Sequence, residues 1–114
     1  MTIFNLTRQT QIADKAVLAD KIFSRMRGLL GKKTFNAGEA LILQPADSLH
    51  TFFMRFPIDV IFLDGKDKVL KISENLSPFR FCLAPRGAAR VIELPAGAIQ
   101  KTSTRVDDLL KISP

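Results

Sequence analysis

With 114 residues and 12.7 kDa the chain is sized for one domain able to bury roughly two thirds of its unfolded surface, and 46% apolar with 25% charged residues excludes long disorder. Seventeen basic against eleven acidic residues give a formal charge of +6, which draws the chain towards phosphates or anionic surfaces. One cysteine, Cys82, excludes an internal disulfide and fits a reducing compartment.

In chain order, Ile3 to Leu6 predicts an edge strand and Ala13 to Ala19 a second strand, broken at Asp14-Lys15. Asp20 is placed to cap a helix over about 20–30, in which Ile22, Phe23, Met26, Leu29 and Leu30 form an apolar stripe and Gly31 the stop. Gly28 inside that pattern costs ~1 kcal/mol relative to alanine, which close packing against it would explain. Lys32 to Glu39 is a polar turn segment, and Ala40 to Leu43 a short buried strand stopped by Gln44-Pro45.

The run from His50 to Gly65 is the densest passage, holding the only histidine and four of the nine phenylalanines. Period-two alternation puts Phe52, Met54 and Phe56 on one face with His50, and Thr51, Phe53 and Arg55 on the other, so both faces are expected to be covered. Pro57 ends or bulges this strand before Val60-Ile61-Phe62-Leu63 begins another, and the whole run is expected in the middle of one sheet. Arg55 and Asp59 need partners, each other or nearby backbone groups. Asp64-Gly65-Lys66-Asp67 then predicts a hairpin into Val69-Leu70-Lys71-Ile72.

Leu76 to Arg80 reads as a loop, Phe81-Cys82-Leu83 as a strand broken by Pro85-Arg86-Gly87, and Arg90 to Leu94 as a strand closed by Pro95-Ala96-Gly97. Ala98 to Thr104 reads as a connection and Val106 to Ile112 as a last strand. The fold class expected is mainly β (α+β): a compact, mostly antiparallel twisted sheet tending to a barrel, with one short helix at about 20–30, in a single domain over 1–114.

Three blocks in order, Arg25-Met26-Arg27-Gly28-Leu29-Leu30-Gly31, the run from His50, and Glu93-Leu94-Pro95-Ala96-Gly97, together with Leu76-Ser77-Pro78-Phe79-Arg80, resemble the domain-of-unknown-function family numbered 192. The resemblance extends from about 16 to 110. It implies a small β-rich single domain and no established biochemical role. Two departures stand out: Ala46 where many relatives sharing the His-Thr block look to have a cysteine, and Asp107 where they tend to have glycine before the aspartate matching Asp108.

For chemistry, His50 and Asp59 could serve as a general base and its orienting carboxylate, but no nucleophile accompanies them; Thr51, Ser48 and Cys82 lack a nucleophile-elbow glycine pattern. One histidine and one cysteine cannot make a four-ligand nitrogen and sulfur zinc site, and Met54 in a phenylalanine-rich run reads as core filler rather than a copper ligand. Cys82 between Phe81 and Leu83 reads as a small buried hydrophobe. The basic residues are scattered, and without Trp or Tyr a base-stacking platform is not expected.

The residues therefore favour a non-catalytic binding or accessory module with a pocket lined by His50, Thr51, Met54, Arg55 and Asp59. The residues identify no partner, a small anionic ligand being the candidate; nucleic acid is not expected, and neither metal nor cofactor is called for. The alternatives are a hydrolase-like acid/base enzyme using His50 and Asp59, and a weak nucleic-acid or anion binder acting through the basic surface. The start of the chain lacks a basic region followed by an apolar core, and no run reaches the ~20 apolar residues of a membrane helix, so a cytoplasmic location is expected.

Overall fold

The computed structural model describes residues 1–19, 35–46, 49–50, 56–78 and 80–114, with Ala19, Leu49 and His50 described by their backbone alone. The helix expected over 20–30 lies outside these residues.

The strands fall into three ladders. In the first, β1 (Thr2–Asn5) runs antiparallel between β2 (Thr10–Ala13) and β10 (Leu110–Ser113). The expectation of an edge strand at 3–6 is thus corrected: pairing of Thr2 with Ser113 and Asn5 with Leu110 makes β1 the middle strand. The partner that fills its second edge stands more than a hundred residues away, beyond any local pattern.

The second ladder has the order β3 (Lys15–Ala19), β4 (Glu39–Leu43), β9 (Arg90–Pro95), β6 (Ile58–Leu63), β7 (Val69–Leu76). The β3–β4 pair is parallel and the others antiparallel. The third joins β5 (Leu49–His50) to β8 (Phe81–Cys82), with His50 opposite Phe81. The run from His50 is consequently not the middle of one sheet. Its two ends belong to different ladders and β9 is the central strand of the larger one. The fold is mainly β, and among the described residues its ladders do not close into a barrel.

The six residues of β6 are all buried, and alternation sends them to two cores. Ile61 and Leu63 pack with Ile3, Ile12, Ile99 and Leu110, which come from the three-stranded ladder and its surroundings. Ile58, Val60 and Phe62 pack with Leu43, Cys82 and Val91, with Phe35 and Phe56 beside them. A strand covered on both sides favours apolar residues on both faces, and β6 is apolar at five of its six positions. Its one charged member, Asp59, is buried as well.

Two further corrections concern the last quarter. Residues 98–104 are not plain connection: Gly97, with φ of 97°, turns the chain into a one-turn helix, α1 (Ala98–Lys101), that buries Ile99. The last strand begins at Leu110 rather than Val106, because Arg105 to Asp108 forms a turn in which Asp107 has φ of 77°. The hairpin is as expected, with Asp64 Oδ1 accepting from the N–H groups of Lys66 and Lys68 at 2.8 and 2.9 Å.

Candidate functional site

Of the five residues expected to line a pocket, Thr51, Met54 and Arg55 lie outside the described residues. His50 is fixed by its backbone in β5. Asp59 is fully buried, and its carboxylate is engaged by three backbone N–H groups from two other segments. Oδ1 accepts from Asn75 N–H at 2.8 Å, while Oδ2 accepts from Gly97 N–H at 3.1 Å and Ile99 N–H at 2.9 Å.

The local geometry explains those donors. Ile58 pairs with Leu76 but Val60 with Ser73, so Glu74 and Asn75 together oppose Asp59 in a β-bulge. Asn75 takes φ of 53°, a left-handed conformation that asparagine tolerates, and so turns its N–H to the carboxylate. On the other side, the first N–H groups of α1 have no partners within the helix, and Asp59 supplies the acceptor from β6. Burial of the charge is thereby compensated by backbone donors, one of the two outcomes the sequence left open.

Above this joint lies a groove of about 780 Å³. Its walls come from the bend between β2 and β3, the turn at 35–38, the 95–98 turn and the outer side of α1. Asp14, Lys15 and Lys101 bring charge to it, while Phe35, Pro95 and Ala98 bring apolar surface. The bend is held by the N–H groups of Asp14 and Lys15, which both donate to Gly38 O at 3.1 and 2.8 Å. Gly38 itself, at φ of 87°, lies so close to the Asp14 carboxylate that a Cβ there would collide with it. This groove was not legible in the sequence, because its walls are brought together by strand pairing and by a one-turn helix too short to leave a periodic signal.

A second polar cluster joins the chain's two ends. Asp108 Oδ2 accepts from Asn5 Nδ2 at 3.0 Å, Arg8 Nε at 3.1 Å and Arg105 N–H at 2.9 Å. Thr104 Oγ1 accepts from Asn5 Nδ2 at 3.2 Å and lies 2.7 Å from Thr102 Oγ1. Burial raises the Asp108 pKa, but the Arg8, Asn5 and Arg105 donors outweigh it and hold the carboxyl below its ordinary value. Asn5, Thr102, Thr104 and Asp108 are all buried, and each is satisfied. The cluster therefore reads as a structural clasp. Cys82 is buried as expected, with Sγ 3.6 Å from Ser73 Oγ.

The family model that matches the chain is DUF192, described as "Uncharacterized ACR", over residues 4–112. A UPF0127 protein of Thermococcus sibiricus is 33% identical over 111 residues, covering 93% of this chain and 71% of that protein. A UPF0127 protein of Pyrococcus furiosus is 32% identical over 114 residues, covering 96% of each. Among solved structures, a protein of unknown function from Novosphingobium aromaticivorans superposes with a TM-score of 0.83 at 18% identity, over 97% of this chain and 82% of that one. A Sinorhizobium meliloti protein described as a putative transcription regulator gives 0.81 at 19% identity, over 96% and 89%. At such identities the two structures speak for the fold alone.

Proposed function

The chain belongs to the DUF192 family, and on that premise we propose that it is a non-catalytic binding or accessory module that takes a small ligand. The observation that carries this reading is the groove beside α1, whose volume and mixture of apolar surface with a few charged groups suit a small molecule. Asp59 supports the reading from beneath, because its grip on the N–H groups of Gly97 and Ile99 fixes the turn that forms one wall. The same grip weighs against acid/base catalysis by His50 and Asp59, since both carboxylate oxygens already serve the backbone.

Binding of nucleic acid through the basic surface is less well supported. Arg8 and Arg90 are paired with Asp108 and Asp67, which neutralises part of the positive charge within the fold. The putative transcription regulator of Sinorhizobium meliloti shares the fold, and that description belongs to that protein.

Amide chemical-shift mapping against a library of small metabolites and anions tests the proposal. Saturable shifts at residues 11–15 and 95–102 are the expected result. Shifts gathered instead at residues 50–55 would move the site to His50, Thr51, Met54 and Arg55, and an unresponsive chain would overturn the binding reading.

A further inference from the structure

Resting on that binding reading, we propose that the groove's ligand is a small organic acid with a single carboxylate on an apolar body, the carboxylate being held by Lys15 and Lys101. Lys15 opens β3 and Lys101 closes α1, so two separate segments each contribute a lysine to the lining of one cavity. Four other cations of the chain are engaged: Arg8 with Asp108, Lys68 with Asp107, Arg90 with Asp67, and Lys71 with the Leu83 carbonyl. Among the described residues, neither Lys15 nor Lys101 has a side-chain hydrogen bond or ion pair, and both line the groove. A carboxylate between them gains charge-assisted hydrogen bonds that no group of the chain supplies.

Three features narrow the ligand's chemistry. Asp14 lines the same groove, so two lysines and one aspartate leave a single net positive charge, which suits a monoanion and disfavours a dianion. The N–H groups of Gly97 and Ile99, which would form a backbone cradle for an anion at the start of α1, are taken by Asp59. Phosphate esters, which favour such backbone cradles, are therefore poorly served compared with a carboxylate met by lysine side chains. Finally, Phe35, Ala37, Pro95, Ala96 and Ala98 give the groove a hydrocarbon surface on which an apolar body gains by leaving water.

Benzoate and hexanoate are the probes, with benzamide, hexanamide and inorganic phosphate as comparisons, titrated into the full chain and followed by amide shifts. The acids are expected to bind saturably at residues 13–15 and 96–101, about tenfold more tightly than the amides. Replacing both lysines (Lys15→Gln with Lys101→Gln) is expected to weaken acid binding by about tenfold or more, while Lys15→Arg with Lys101→Arg retains it. Spectral dispersion in both variants confirms that the fold is intact. Amides binding as well as acids, phosphate binding better than acids, or indifference to the lysine changes would overturn the carboxylate assignment and leave the binding reading standing. A groove silent to every probe overturns the carboxylate assignment, and silence extended to the metabolite library overturns the binding reading too.

Discussion

The carboxylate of Asp59 on β6 accepts the N–H of Ile99 at 2.9 Å, so a strand buried on both sides holds the first turn of α1 from below. Asp59→Asn keeps the shape but gives up the charge and points an amide at backbone donors. It is expected to cost about 2–3 kcal/mol, and Asp59→Ala more, as read by urea denaturation. Faster hydrogen exchange at Ile99 and Asn75 in Asp59→Asn would tie the loss to these bonds, whereas unchanged exchange there would contradict the assignment.

Asp108 gives the molecule an acid-sensitive clasp. Its folded-state pKa is lowered, so its contribution to stability is complete above the ordinary carboxyl value of 3.8 and is lost as pH falls through the folded value. Unfolding free energy is expected to drop as the pH falls below that ordinary value, and Asp108→Asn to flatten that drop while costing about 2 kcal/mol at neutral pH. An acid limb identical in the variant and the parent would rule this out.

Gly38 is held by backbone and by space together. Its φ of 87° disfavours any side chain, and a Cβ would meet the Asp14 carboxylate. Gly38→Ala is expected to cost about 1–2 kcal/mol, and Asp14→Ala in the same chain to recover only part of it, because the backbone strain remains. Full recovery in a thermal melt would show that only the collision mattered.

Asp107 sits at φ of 77°, and its ion pair with Lys68, at 3.5 Å, is exposed. Asp107→Gly is expected to change stability by less than about 0.5 kcal/mol, the relief of strain offsetting added freedom in the unfolded chain, while Asp107→Val costs more than about 1 kcal/mol. Equal melting points for the two variants would contradict the backbone account.

Local signals made much of the fold legible. The hairpin at Asp64 to Asp67 was readable because its turn chemistry lies within four residues, and Ala40 to Leu43 because Gln44-Pro45 punctuates it. The buried strand at Val60 to Leu63 was readable from its unbroken apolar run. The central place of β1 was not, since only its pairing with β10 decides it. Nor was α1, a single turn whose start is capped by a residue about forty positions earlier. Asp107 and Asp108 read as awkward members of a strand because the conformation at Asp107, and the Asn5, Arg8 and Arg105 partners of Asp108, leave no periodic trace. For the candidate site, the need of Asp59 for a partner, Arg55 or backbone groups, could be foreseen, whereas a groove assembled from residues 11–15, 35–38 and 95–102 could not.

The pairing of Thr2 with Ser113 also has a kinetic side. β1 finds one of its two neighbours only when Leu110 to Ser113 are present, so the small ladder is completed by closing the loop between Asn5 and Leu110. Loop closure of that length is entropically slow, which places this event late, after the Ile58–Leu76 hairpin has formed from neighbours in sequence. Until then Ile3 and Leu110 lack their shared packing, and the apolar faces of β6 and β9 that they cover remain open to water.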